Sequence, residues 1–430
     1  MENINNELFD YIAASPTAFH AVANTARILE EKGYTELCED EKWSLEVGKG
    51  YYVTKNGSSL IAFRVPKKDF NGFMMTASHS DSPSFKIKEN AEISDSKYVR
   101  LSVEKYGGML CSTWMDRPLS VAGRIIVRTE GGFETRLVDL ADFTAIIPNV
   151  AIHMNRNAND GTAYNAAVDM LPLFGEAKDG GDFMLRIAKR AGVEKDDILS
   201  TDLFVYNMDQ GKEWGAFITA PRLDDLQCAF ASLCAFTESE TGDSMPVYCL
   251  FDNEEVGSGT KQGAASTFLY DALSRINSSL GGNGEDLICR IAKSFLVSCD
   301  NAHAVHPNHP EFADGNHSSK MNQGIVIKYN ANQKYTTDAL SSALFKLICE
   351  EADVPYQSYA NRADMPGGST LGNIANTQVS LNTVDIGLAQ LAMHSALETA
   401  GSKDTEYMIK ALRVFFGKSI SLCHGNYKLV

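Results

Sequence analysis

The sequence predicts an α/β layered protein carrying an inserted, mostly β segment, and two observations lead there. Apolar strand-like runs alternate with helical patterns along the C-terminal half, and from about residue 89 to 208 the pattern changes to short alternating runs with polar turns. At 430 residues the chain exceeds one ordinary core, so two domains are expected.

In chain order, Ser15-Pro16 ahead of Thr17-Ala18-Phe19 reads as a helix N-cap followed by proline at the first helical position. Strands are expected around Ser59–Val65 and Phe73–Ala77, the second running into His79-Ser80-Asp81-Ser82-Pro83. Within the altered segment, Gly123–Arg128 alternates like a half-buried strand, and Asn155–Gly161 reads as a polar loop. Leu226, Phe230, Leu233 and Cys234 recur on one side of a helix expected over Leu223–Thr237. Strands follow near 246–251, 294–299 and 323–328, helices near 260–278 and 337–351, and a final helix or two over 388–416. Ligands of such layers sit beyond the carboxyl ends of the strands.

Composition narrows the function. The 44% hydrophobic and 22% charged content fits a packed globular chain and not a disordered one. A formal charge of −16 opposes binding to a nucleic-acid backbone. The apolar runs are too short or interrupted for a bilayer, and the first residues resemble no export signal. Nine cysteines occur without C-x-x-C spacing, several (Cys228, Cys234, Cys249) inside apolar segments. Reduced, buried thiols and a cytoplasmic setting are the expectation, with no cysteine-based zinc site.

The chemistry concentrates at strand ends. Glu254 and Glu255 follow the run Met245–Phe251, and neighbouring acids there need a reason to tolerate their repulsion. A metal supplies one, with one glutamate as ligand and the other free to take a proton from water. His79 ends a strand two residues before Asp81, which could hold the second ring nitrogen; a turn histidine beside a capping aspartate is the plainer reading. Asp224 and Asp225 open a helix, where acids complement the dipole, yet one of them could bridge two ions. Asp300 ends Phe295–Cys299 and precedes His303, His306 and His309, read as pocket groups in a Pro/Asn-rich loop. His394 lies where a helical pattern starts and gains interest only from the acids elsewhere. Nitrogen and oxygen donors of this kind suit zinc, and leave manganese and cobalt open. The glycine-rich Asp364–Gly372 lacks the lysine of a phosphate loop and reads as a close-approach substrate loop.

Five ordered segments together resemble the M18 metalloaminopeptidases, the family that includes aspartyl aminopeptidase: His79–Pro83, Pro221–Leu226, Asp252–Ser258, Ala302–Asn308 and Leu391–Ser395. The resemblance implies a zinc-exopeptidase-like α/β/α catalytic domain, residues 1–88 and 209–430, interrupted by a mostly β dimerisation domain, 89–208. It implies two zinc ions per subunit, with Asp224 bridging, His79 and Asp300 completing one site, and Glu255 and His394 the other. Glu254 is then the general base, and Asp81 the acid behind the histidine ligand. His153 is implied to reach a neighbouring subunit's active site and bind substrate, although some descriptions make it a zinc ligand. Lys328 and Tyr335 fall at positions associated with acidic side chains, while surface solvation is the plainer reading of Lys328.

The implied reaction removes the N-terminal residue of unblocked peptides, with Asp or Glu the expected preference and neutral residues the alternative. Homodimers assembling into a dodecamer belong to the same expectation. A metal-dependent amidase or deacetylase, or a noncatalytic metal-binding assembly protein, would rival it.

Overall fold

A computed structural model of the chain describes residues 4–179, 182–423 and 426–430. Its centre is a nine-stranded mixed sheet. In spatial order the strands are Thr35–Glu36, Gly50–Lys55, Ser59–Arg64, Met245–Phe251, Phe73–His79, Phe295–Cys299, Asn382–Gly387, Ile325–Tyr329 and Tyr356–Ala360. The middle four, from Met245–Phe251 to Asn382–Gly387, are mutually parallel. Three of them, Met245–Phe251, Phe73–His79 and Phe295–Cys299, are buried at every position, as expected of strands covered on both faces.

The alternation of side chains sorts these strands between two cores. Tyr248 and Leu250 pack with the helices Ile4–Ala13, Ala18–Glu31, Leu223–Glu238, Ala339–Glu351 and Asp404–Phe416. Val247, Cys249 and Phe251 face the other way, onto Phe268–Ser279, Gly284–Ala292 and Leu371–Ala375. The result is the α/β/α layering expected from the sequence.

A separate six-stranded antiparallel sheet draws all its strands from Ser84 to Asn207. It has its own core, built on Phe85, Leu101, Val121 and Val205, with Phe183 and Ile187 of the helix Phe183–Ala191 packed against it. A third, five-stranded sheet includes Ala389–Leu391 and Glu398–Gly401. Among the described residues no helix is long and apolar enough to cross a membrane.

Two local expectations are corrected. The first-turn cap belongs to Thr17, not Ser15, and Pro16 precedes it, because the helix begins at Ala18. The helix expected from 388 starts only at Asp404. Residues 389–401 instead form two short strands, and Ala392 and His394 take left-handed φ angles of 57° and 64° in the turn between them.

Candidate active site

Register carries the site. Phe251 pairs with His79, and Ser298 with Ala77, so the parallel strands end at one level. His79 at the end of its strand, and Glu254, Glu255 and Asp300 just beyond theirs, are thereby gathered at the carboxyl edge. Asp224, at the start of Leu223–Glu238, and His394, from the turn after Ala389–Leu391, close the group from the side.

Among the described residues, potential ligand atoms fall into three overlapping sets, each within 4.8 Å: His79, Asp224 and Asp300; Asp224, Glu255 and His394; and His79, Glu254 and Glu255. Asp224 is common to the first two. Its carboxylate lies 3.7 Å from His79 Nε2 through Oδ1 and 3.2 Å from His394 Nε2 through Oδ2. The second imidazole also stands 3.4 Å from Glu255 Oε2.

Asp225 turns away and accepts the backbone N–H of His79 at 3.1 Å. Neither acid therefore acts as a simple helix-dipole group: both are buried, and both depart from helical backbone angles. His79 Nδ1 is 3.0 Å from the backbone oxygen of Asp81 and 3.4 Å from its Oδ1. The carboxylate of Asp81 accepts the N–H groups of Glu254 and Glu255, each at 3.2 Å.

Electrostatics mark this as a cluster in need of cations. Burial, with like charge from Asp224, drives the Glu255 carboxyl well above its usual range. Burial, opposed by His79 and reinforced by Asp300 and Asp81, pushes Glu254 up to about 8. Burial would lower His394, yet Asp224 and Glu255 raise it to about 10. Asp224 moves down despite burial, because the His394 and His79 imidazoles on either side favour its charged form. Asp224 Oδ1 and Glu255 Oε1 are buried without a hydrogen-bond partner, a costly state for an acceptor. Nitrogen and carboxylate donors converging on orphaned oxygens fit zinc or a similar divalent ion, and binding would displace the protons these shifts hold.

Other predicted residues fall differently. Lys328 is buried, contrary to surface solvation: its ammonium bonds the Asn301 carbonyl at 3.1 Å and lies 3.6 Å from Asp300 Oδ2. Burial would lower its pKa, but Asp300 and Tyr335 hold it above the ordinary lysine value. Tyr335 is buried beside it, the ammonium 5.3 Å from the ring centroid. His153 is exposed in the inserted segment and belongs to none of the three ligand sets. His303, His306 and His309 are also exposed and outside those sets.

The sequence reading missed Glu398 and Tyr106. Glu398, buried in the strand after the His394 turn, accepts the N–H of Asp224 at 3.0 Å and of His394 at 2.7 Å. Its only signal was the four-residue spacing from His394, hidden by the helical reading.

The chain is similar to known proteins over nearly all its length. Residues 11–416 match the family model for aminopeptidase I zinc metalloprotease (M18). The chain is 45% identical to the probable M18 family aminopeptidase 2 of Clostridium novyi (strain NT), over 96% of this chain and 98% of that one. It is similar to the chain in the cryo-EM structure of the Ape4 and Nbr1 complex, at a TM-score of 0.93 and 36% identity, covering 97% of this chain and 86% of that one. The S. cerevesiae mApe1 dodecamer structure matches at a TM-score of 0.84 and 28% identity, with 96% of each chain covered. A full-length match in sequence and fold, joined to a cluster with the donors of a dinuclear centre, makes this chain a member of the M18 family and a metallo-aminopeptidase.

Proposed function

We propose that the protein is a dinuclear zinc aminopeptidase that removes single residues from free peptide N-termini, with Glu254 as general base. The observation that carries this reading is the sharing of Asp224 between the His79/Asp300 and Glu255/His394 sets. In it, Asp224 would be common to both ions, His79 and Asp300 would complete one ligand set, and Glu255 and His394 the other. When bound, such ions supply Lewis acidity toward the scissile carbonyl and acidify a water molecule.

The chain's own groups do the rest. Glu254 belongs to the same turn as Glu255 but to neither set containing Asp224, so its carboxylate remains free to accept a proton from the attacking water. It then returns that proton to the leaving amine. Asp81 steadies both His79 and the glutamate turn. His153 is read as a substrate group delivered by a neighbouring subunit, where it would stabilise developing oxyanion charge; its exposure supports delivery to another copy. The dodecamer of the yeast relative supports a closed homo-oligomer built from dimers. The domain division follows the same reading: a catalytic unit of 1–88 and 209–430, with 89–208 inserted. Cytoplasmic peptide turnover completes it.

An acidic first residue is the finer part of the proposal, resting on Lys328 and Tyr335. One observation favours neutral residues instead: the Lys328 ammonium already faces Asp300 and the Asn301 carbonyl.

The test is a panel of free and N-acetylated peptides assayed with zinc, manganese and cobalt, beside Glu254→Gln. Free peptides should be cleaved and blocked ones refused, and Glu254→Gln should keep its metal while losing on the order of 10²–10⁴-fold in kcat. Cleavage of the blocked series would favour an amidase or deacetylase, and unchanged turnover in Glu254→Gln would remove its assigned role.

A further inference from the structure

One short stretch leaving the inserted sheet, Tyr106–Leu110, touches three separate parts of the metal cluster. The Tyr106 hydroxyl donates to Asp81 Oδ2 at 2.6 Å and accepts from Asn253 Nδ2 at 2.8 Å. Through Asp81 it reaches the N–H groups of Glu254 and Glu255. The Gly108 carbonyl lies 2.6 Å from His394 Nδ1, and the Leu110 N–H donates to the His394 carbonyl at 3.0 Å. Between these contacts, Gly107 has a φ of +76° and passes so near Glu255 that a Cβ would stand 3.1 Å from the Glu255 Cβ.

We propose that Tyr106–Leu110 is the positioning element of the metal centre, with Tyr106 as its positioning residue. Two physical effects carry the proposal. A neutral histidine that donates from Nδ1 to a carbonyl presents a bare Nε2 lone pair, and here Nε2, once a cation displaces its proton, faces Asp224 and Glu255. The Gly108 carbonyl thus selects the tautomer able to bind a cation. Separately, Glu254 and Glu255 sit in a single 3-10 turn whose leading residue, Asn253, takes a left-handed φ of 61°. The turn's N–H groups are held by Asp81, and Tyr106 fixes the Asp81 carboxylate in the orientation that receives them. The Tyr106 ring packs edge-on against Phe204, 5.5 Å between centroids, within the inserted sheet. The insert therefore sets where the hydroxyl stands. Seating of the insert and shape of the glutamate turn become one structural event.

The inference rests on the dinuclear reading, and the experiment separates the two. Zinc binding to the full-length protein is measured by competition with a chromophoric chelator, together with kcat and KM on a free peptide, for wild type, Tyr106→Phe and Tyr206→Phe. Tyr106→Phe retains the ring and removes only the hydroxyl. It should lose about 10–100-fold in zinc affinity, kcat or both, with KM within about twofold. Tyr206→Phe removes a different hydroxyl of the same sheet, bonded to Asp139 at 2.7 Å, and should match wild type. Zinc affinity and kcat both within about twofold of wild type in Tyr106→Phe, or an equal loss in Tyr206→Phe, would overturn the positioning role. Fewer than two zinc ions bound by wild type would instead overturn the dinuclear reading, whatever the variants do.

Discussion

Replacing Lys328 by Met should destabilise the metal-free protein far more than the zinc-loaded one. The ammonium and Asp300 Oδ2 are 3.6 Å apart with both side chains largely withdrawn from water. At an effective dielectric near 20, unit charges at that distance attract by about 4–5 kcal/mol, close to the roughly 3–5 kcal/mol typical of stripping one partner from a buried pair. Methionine fills a similar volume, so the loss reports charge more than packing. A cation bound at Asp300 would replace the missing positive charge, so zinc should restore much of the stability. The assay is urea unfolding of wild type and Lys328→Met, each with chelator and with saturating zinc. The gap between the two midpoints should widen in the variant. A chelated Lys328→Met protein unfolding at the wild-type midpoint would refute the argument. If that result came with a selective loss of kcat/KM on Asp and Glu peptides relative to Leu peptides, Lys328 would belong to the substrate pocket instead.

Two further variants test other parts of the account. Glu398→Ala strips the acceptors from the N–H groups of Asp224 and His394. Each orphaned buried donor costs roughly 1–3 kcal/mol, so chelated unfolding should show a loss of about 2–6 kcal/mol, with Glu398→Gln intermediate; an unchanged midpoint in Glu398→Ala would contradict the assignment. His20, beside Thr17 Oγ1 at 2.8 Å, is lowered by burial from 6.5 to about 4, against the opposing pull of Asp139. As pH falls from 6.5 toward 4 the unfolded chain takes up a proton that the folded chain refuses, so stability drops by up to about 3 kcal/mol over that window. His20→Gln should flatten this limb of the urea-midpoint profile, and an unaltered slope would dismiss His20 as its source.

The strand ends were legible because buried parallel strands are continuous apolar runs, and polar residues just past them stand out. The run Met245–Phe251 before the glutamates, and Phe295–Cys299 before Asp300, were read almost to the residue. His394 was recognised without its setting. Strands of three and four residues around a left-handed turn leave too little alternation to separate from a helical spacing. Lys328 looked like a surface lysine because its partner, Asp300, stands on another strand and no local spacing reports the pair. Tyr106 was invisible for the same reason: its partners, Asp81 and Asn253, lie across the boundary between the two sheets. Local pattern brought out the acids and histidines that the structure gathers into one cluster, with Asp81 beside His79, and tertiary contacts alone revealed Glu398 and Tyr106 as their hydrogen-bond partners.

The most direct test of the central claim is turnover of a free peptide measured while zinc is titrated into chelator-stripped protein. The account predicts that activity rises until two ions are bound per chain and is absent in the stripped protein. Full activity at one ion per chain, with the second set of ligands still empty during turnover, would contradict it.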